Sequence, residues 1–245
     1  MRVLLSGLLL TAATVLQAAE IKVLSSTALK SVLEELGPQF EKATGHKVAA
    51  QFAPAADLKS RIEKGEAFDV AILTTPLMDD LAKMSRIAVG SRIDVARAGA
   101  GVAIRKGAPK PDLSSAESFK RALLEAKSVA YVGTGATAAN MRNIFARLGI
   151  AEEMKAKTKL LSGIGAADAV AKGEAELGFT QVSEILGNAG AELAGPLPPE
   201  VQVYTVFPAA GAASAREPEA AVQFLRYLKT PDAAKVIRAK GMEPG

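Results

Sequence analysis

The chain has 245 residues, of which 49% are hydrophobic and 23% charged, and its formal net charge is +4 at pH 7. It contains no cysteine, which excludes disulfides, thiolate metal sites, cysteine nucleophiles and a lipid anchor on an N-terminal cysteine. Aromatic residues make up only 4% of the chain and the basic residues form no block, so the composition disfavours nucleic-acid binding.

The first 19 residues have the pattern of a secretory signal peptide. Arg2 supplies the positive charge, residues 3–15 are mostly apolar, and the small residues before Glu20 offer a cleavage site after Ala18 or Ala19. The apolar run is too short for a comfortable membrane crossing. We therefore predict a soluble periplasmic protein and exclude residues 1–19 from the prediction of the fold.

Beyond residue 19, apolar strands alternate with amphipathic helices. The predicted elements, in chain order, are strand 21–24, helix 29–42, strand 48–52, helix 57–64, strand 68–73, a helix from 75, strand 99–105, helix 115–126, strand 128–132, helix 138–148, strand 159–161, helix 166–172, strand 177–180, a loop at 195–199, strand 201–207 and helices 217–228 and 232–240. Such alternation is typical of βαβ units. We predict an α/β fold of two lobes, each a mainly parallel sheet flanked by helices.

The predicted lobes are connected by two crossings of the chain. Short right-handed connections favour a second lobe, residues 99–207, inserted into a first lobe formed by residues 20–98 and 208–245. Two such crossings form a hinge beside a cleft.

Five predicted strand-to-helix turns consist largely of small and hydroxyl residues. They are SSTA (25–28), APAAD (53–57), TTP (74–76), GTGAT (133–137) and GIGAAD (163–168). Residues of these types are also the ordinary caps of helices. In parallel sheets, however, ligands bind beyond the carboxyl ends of the strands, where helix starts present unpaired N–H groups to anions.

The number of donors decides whether such turns can hold a ligand. A hydrogen bond to a charged group contributes about 1.5–3 kcal/mol and micromolar binding needs about 8 kcal/mol, so helix dipoles alone cannot hold a ligand, whereas four or more convergent donors could. The predicted ligand-binding residues are Ser25, Ser26, Thr27, Ala55, Ala56, Thr74, Gly133, Thr134, Gly135, Thr137 and Gln181.

Other motifs predict no cofactor and no metal site. GIGAAD has Asp168 where a dinucleotide-binding fingerprint needs Gly or Ala, and GTGAT lacks the Lys of a phosphate-binding loop. His46 is the one histidine of the chain and we interpret it as a solvated loop residue, which disfavours a Ser-His-Asp hydrolase.

Four stretches resemble the molybdate-binding branch of the periplasmic solute-binding proteins of ABC transporters. They are VLSSTALKSVLEELGPQFEKATGHKV, FDVAILT, GAGVAIRKGAP and AVQFLRYLKTPDAAKVIRAKGMEP. The resemblance implies two hinged lobes that close over a small anionic ligand, in a monomer that delivers it to a membrane permease.

The ligand pocket departs from the pattern of that family. Molybdate binders usually have Ser where this chain has Ala28 and Ala55, and Tyr where it has Gln181. The remaining hydroxyl and amide donors suit small organic carboxylates at least as well as molybdate-type oxyanions.

An enzyme is the alternative, because relatives of this branch include aconitate isomerase. Moving a proton along the allylic system of a tricarboxylate requires an acid or base in the cleft. The ionisable candidates are Asp57, Glu184 and Tyr131, and Lys59 and Arg142 could pair with substrate carboxylates. A transcription-regulator effector domain would require an N-terminal DNA-binding segment, which the export signal replaces.

Overall fold

The structure, a computed structural model, describes residues 18–162 and 165–245. Nearly all of the predicted signal peptide and the first two residues of GIGAAD lie outside these ranges. Within them, no helix is both long enough and apolar enough to cross a membrane.

Strands and helices alternate through most of the described chain. The strands are β1 Glu20–Ser26, β2 Lys47–Ala53, β3 Val70–Ile72, β4 Ile93–Arg105, β5 Val129–Val132, β6 Thr158–Leu161, β7 Leu177–Gln181, β8 Ala191–Pro196, β9 Tyr204–Gly211 and β10 Glu243–Pro244. A short 3-10 helix, Thr27–Leu29, follows β1. The α-helices are α1 Lys30–Thr44, α2 Ala55–Glu63, α3 Thr75–Lys83, α4 Ala116–Glu125, α5 Gly135–Arg147, α6 Ala151–Lys157, α7 Ala166–Ala171, α8 Val182–Leu186, α9 Pro218–Tyr227 and α10 Pro231–Ala239.

The strands lie in the order β2-β1-β3-β9-β4-β7-β5-β6, and β8 and β10 also pair with β4. Parallel pairs form around β1 on one side and around β5 on the other. The long strand β4 joins the two groups, because residues 93–99 pair antiparallel with β9 and residues 100–105 with β7 and β8. The predicted two-lobed α/β fold is confirmed, with β4 and β9 adding an antiparallel centre.

Each group of strands has a large apolar cluster of its own, and two smaller clusters lie beside them. The first cluster contains Phe40, Phe207 and Phe224, and the rings of Phe40 and Phe224 meet edge to face at 5.1 Å. The second contains Phe119 and Phe179, whose rings are 6.0 Å apart. The residues of the first cluster come from the ranges 21–98 and 207–242, whereas those of the second come from the range 100–201. The exact lobe boundaries stay a prediction.

Helix α1 shows how the sequence pattern produces a local element. Val32, Leu33, Leu36 and Phe40 recur on one face and are buried against the first cluster. The helix ends at Gly45, whose φ of 80° is the left-handed conformation that glycine adopts without steric cost. Pattern and end signal agree with the predicted helix.

Several predicted elements are wrong in extent, and others were not predicted. Helix α5 begins at Gly135 rather than 138, and the returning strand β9 starts and ends later than 201–207. Helices α6 and α8 have 7 and 5 residues, too few to show a helical period. Strand β8 extends to Pro196, so the predicted loop 195–199 begins inside a strand that is defined by its pairing with β4.

His46 is buried, with 5% of its surface exposed, so the prediction of a solvated loop residue is wrong. Its Nδ1 accepts a hydrogen bond from the backbone N–H of Ala19 at 3.1 Å, and its ring stacks on Phe40 with centroids 6.1 Å apart. The aromatic contact comes from the face of α1, which the local Gly-His-Lys sequence does not reveal.

Candidate functional site

A cleft of about 630 Å³ lies between the two groups of strands. From the first lobe it is lined by Thr27, the face of α1 and the connection from β2 to α2. From the second lobe it is lined by the end of β5, the starts of α7 and α8, and Thr180 in β7. These segments follow the carboxyl ends of parallel strands, which is where ligands bind in such sheets.

The three hydroxyl residues after β1 have different environments. Ser25 is fully buried and its Oγ donates to the carbonyl of Ser26 at 3.2 Å. The Oγ of Ser26 accepts from the N–H of Ala28 at 3.4 Å, which caps the 3-10 helix. Only Thr27 of the three is among the described residues that line the cleft.

Ala55, Ala56 and Thr74 are not among the described lining residues of the cleft, although the two alanines lie between residues that are. Ala55 and Ala56 are half-buried and form the first turn of α2, between the lining residues Pro54 and Asp57. Their N–H groups have no acceptor within the helix because they precede its first hydrogen bonds. Thr74 is the residue before α3, and its side chain makes no capping hydrogen bond.

The GTGAT turn follows a strand end that reaches the cleft. Val132, the last residue of β5, lines the cleft, and the N–H of Gly133 donates to the carbonyl of Leu161 at 3.0 Å. Thr134 is exposed in front of α5, whereas Gly135 and Thr137 belong to the first turn of that helix. Val132 is the last residue of this segment among the described lining residues. A ligand-binding role of Gly133, Thr134, Gly135 and Thr137 therefore stays a prediction.

Gln181 is not among the described lining residues of the cleft, and a ligand-binding role for it stays a prediction. It is 7% exposed, its Nε2 donates to Oγ1 of Thr205 in β9 at 3.2 Å, and its Oε1 has no hydrogen-bond partner in the described structure. Successive side chains of a strand face opposite sides. Thr180, the preceding residue of β7, therefore faces the cleft instead.

The best-defined polar cluster of the cleft is centred on Glu184. Thr27 donates from its Oγ1 to Oε1 of Glu184 at 2.8 Å, and Thr180 donates to Oε2. Beside them, Ser183 donates from its Oγ to the carbonyl of Ala28 at 2.8 Å. Hydroxyl groups from both lobes thus converge on one carboxyl group.

Sequence reasoning identified only part of this cluster. Thr27 was predicted as a ligand-binding residue and Glu184 as an acid or base, whereas Thr180 and Ser183 were missed. The signal was present in the letters TQVSE, which place polar residues at the end of a buried strand, as in the five turns that were recognised.

Burial raises the pKa of Glu184. The hydrogen bonds from Thr27 and the backbone of Gln181 act in the opposite direction, and the negative charge of Asp168 adds to the increase. Part of the Glu184 surface remains open to the cleft. The site therefore holds a carboxyl group that exchanges protons at a higher pH than an ordinary glutamate.

Of the predicted ionisable residues, Asp57 and Glu184 line the described cleft, whereas Tyr131, Lys59 and Arg142 are not among its lining residues. Four carboxylates and two ammonium groups line the described cleft, on Glu34, Asp57, Asp168, Glu184, Lys30 and Lys172. Tyr131 is buried in the second apolar cluster, and burial raises its pKa. Lys59 pairs with Glu63 at 2.7 Å on the other side of α2, and Arg142 is exposed on α5.

In residues 18–162 and 165–245, no group of three or more His, Asp or Glu side chains is placed to hold a metal ion. The donors of the cleft are hydroxyls, backbone N–H groups, carboxylates and two lysines. Such a set suits a small charged organic molecule.

Comparison with known proteins defines the class of this molecule. A family model for bacterial extracellular solute-binding proteins matches residues 21–243, and the chain belongs to that family. It is 34% identical over 247 residues to aconitate isomerase from a Pseudomonas species, covering 97% of this chain and 94% of that protein. It is 32% identical over 250 residues to the molybdate-binding protein ModA of Azotobacter vinelandii, covering 96% and 93% of the two chains.

The fold agrees with a solved structure of the same class. The periplasmic molybdate-binding protein of Azotobacter vinelandii superimposes with a TM-score of 0.79 at 23% identity, covering 92% of this chain and 99% of that one.

Proposed function

We propose that this protein is a soluble periplasmic receptor that binds a small anion between its lobes and, as a monomer, delivers it to the permease of an ABC transporter. The observation that carries the proposal is the convergence of Thr27 and Thr180, from different lobes, on the carboxyl group of Glu184. The cleft thus already binds one carboxyl group, its own, with donors from both sides. Membership of the solute-binding family and the named molybdate-binding relative support the transport role.

The cleft favours a small organic carboxylate over a molybdate-type oxyanion. Its volume of about 630 Å³ is within the range of roughly 300–1,000 Å³ that is usual for pockets of small organic ligands. A single tetrahedral oxyanion fills only a small part of that space. The described lining also contains more carboxylates than ammonium groups, so a ligand with several spaced charges can meet the lysines and avoid the acids.

Ligand screening tests this proposal. We expect trans-aconitate, tricarballylate or another small polycarboxylate to raise the melting temperature more than molybdate, tungstate or sulfate does. A ligand at 1,000 times its Kd adds about 4 kcal/mol of stability. In a protein of this size each kcal/mol raises the melting temperature by roughly 2–4 °C. Glycerol is the uncharged control, and a melting temperature unchanged by every anion contradicts the proposal.

A matched pair of variants locates the binding site. Thr27→Val removes the hydroxyl that holds the Glu184 carboxyl group from the first lobe. Because a hydrogen bond to a charged group contributes about 1.5–3 kcal/mol, loss of this positioning is expected to weaken polycarboxylate binding about tenfold. Thr158→Val removes a hydroxyl at the amino end of β6, where Thr158 donates to the carbonyl of Met154 at 2.7 Å. Isothermal calorimetry that finds equal affinities for the two variants contradicts a site at Thr27.

An isomerase is the second candidate, and the environment of Glu184 favours it. This carboxyl group lines the cleft, its pKa is raised, and no described Lys or Arg pairs with it. Such a group can take a proton from one carbon of a bound unsaturated tricarboxylate and return it at the other end of the allylic system. The double bond moves and the molecular formula is unchanged. The relative named aconitate isomerase supports this candidate.

Chromatography of the aconitate isomers decides between receptor and enzyme. If the protein is an isomerase, cis- and trans-aconitate interconvert over many turnovers per molecule. Glu184→Gln then lowers the rate by roughly 10²-fold or more, since a positioned acid or base contributes 10²–10⁴-fold. Absent or merely stoichiometric conversion rejects the enzyme and leaves the receptor.

A further inference from the structure

Glu184 is held rigidly where the two lobes meet. Thr27 and Thr180 each donate a hydroxyl to one of its carboxyl oxygens, and the neighbouring Ser183 bonds to the backbone of Ala28 at 2.8 Å. Ser183 and Ala28 are both buried. The carboxyl group therefore keeps its place at the floor of the cleft when a ligand enters.

No positive charge neutralises this carboxyl group within the described structure. Lys30 lies 3.7 Å from Glu34 on α1, and Asp168 on α7 accepts from Asn188 at 2.6 Å. The charged groups that the elements around Glu184 present to the cleft are Lys30 and Glu34 from α1, Asp57 from α2, and Asp168 and Lys172 from α7. Neither lysine forms an ion pair with Glu184.

A carboxylate has about four hydrogen-bond acceptor positions, and the two threonines and the backbone N–H of Gln181 use three of them. The open part of the Glu184 surface therefore offers an acceptor to the ligand. A ligand carboxylate that approaches it brings a second negative charge, and two carboxylates in contact hold one proton between them. A molybdate-type oxyanion also carries negative charge, and an ionised Glu184 repels it.

We infer that Glu184 makes ligand binding proton-linked: the cleft binds an organic polycarboxylate together with one proton, held between a ligand carboxyl group and the Glu184 carboxyl group. The inference rests on the proposed anion-binding function and names its ligand class. The proton comes from the solvent when the complex forms and returns to it on release, so only O–H bonds form and break. Burial raises the pKa of Glu184 in the free protein, so this position tolerates the protonated form. Proton uptake on binding counts only protons that the free protein lacks, so it is largest at pH values above that pKa, where free Glu184 is ionised.

Calorimetry with trans-aconitate between pH 7 and 8.5, in two buffers of different ionisation enthalpy, measures the protons bound. We expect the wild type to take up close to one proton per ligand and its apparent Kd to rise about tenfold per pH unit, as linkage requires. Glu184→Gln should bind with almost no proton uptake and a flat pH profile, and its affinity for molybdate should rise several-fold. Glu152→Gln, an exposed change on α6 next to Lys155, is the control and should behave as the wild type.

The possible outcomes of this calorimetry lead to different conclusions. Binding without proton uptake in the wild type, or equal uptake in Glu184→Gln, overturns the inference and leaves the anion receptor intact. Absence of binding by trans-aconitate, tricarballylate and molybdate contradicts both. If Glu184→Gln does not fold, Thr180→Val, which removes one hydroxyl bond to Glu184, takes its place and should change the pH dependence of the apparent Kd. An unchanged pH dependence in that variant overturns the inference.

Discussion

Replacing Asp69 with Ala is expected to destabilise the protein by about 3–5 kcal/mol. Hydrogen bonds to a charged acceptor contribute about 1.5–3 kcal/mol each, and the variant would leave the buried donors of these bonds without an acceptor. The side chain is 3% exposed and accepts three backbone N–H bonds. Oδ2 accepts from Lys22 at 2.8 Å, and Oδ1 accepts from Arg216 at 2.7 Å and Glu217 at 3.1 Å. One carboxylate thereby ties β1, the start of β3 and the segment before α9 together.

Urea unfolding followed by circular dichroism measures this loss. Asp112→Ala is the matched control, because Asp112 is exposed and bonds to the nearby N–H of Ser114 at 2.9 Å. We expect less than about 1 kcal/mol for the control, as for other exposed local contacts. Equal unfolding free energies of the two variants would show that the three bonds of Asp69 do not stabilise the fold.

Replacing Gly178 with Ala is expected to cost about 1–3 kcal/mol, the range typical of overpacking in a core. A Cβ on Gly178 would lie 2.8 Å from Cγ2 of Val170 and 2.9 Å from the carbonyl oxygen of Ala166. The second contact is with backbone, so α7 must move away from β7. Because Ala166 and Asp168 line the cleft, the same movement should also weaken ligand binding.

Gly37→Ala is the control for this substitution. Gly37 lies in α1, and the nearest atom to its added Cβ is Cβ of Val48 at 3.9 Å, an ordinary contact. Alanine is the better helix former, by up to about 1 kcal/mol, so stability should stay equal or rise. Thermal unfolding and trans-aconitate calorimetry check both variants. An unchanged melting temperature of Gly178→Ala would show that α7 moves away from β7 without loss of stability.

Part of the site could be predicted because its residues follow recognisable strands. The turns after β1 and β2 were found from small and hydroxyl residues between an apolar run and a helical pattern, and Thr27 and Pro54 do line the cleft. The same reasoning could not separate Ser25 and Ser26 from Thr27. The backbone conformation of these three residues decides which hydroxyl caps the helix and which faces the cleft. Serine and threonine can fill either role, so the residue types do not reveal the choice.

The centre of the site could not be predicted in the same way. Thr27 and Glu184 are 157 residues apart in the chain, and Glu184 belongs to a helix of five residues, VSEIL, that shows no period of its own. The contact between them exists because β7 places α8 against the turn after β1. The partner of Gln181 could not be predicted either, because Thr205, which accepts from its Nε2, lies in β9, 24 residues further along the chain.

The succession of strands and helices and the two-lobed α/β class could be predicted from the sequence, because periodic burial and end signals are local properties of the chain. The solute-binding family was indicated by the resemblance of four stretches to its molybdate-binding branch. The tertiary structure alone decided that His46 is buried, that β8 is a strand and that Thr180 and Glu184 meet Thr27 in the cleft. Hydrogen bonds between distant residues and desolvation by packed neighbours depend on how the lobes come together, and a linear pattern of residue types does not specify that arrangement.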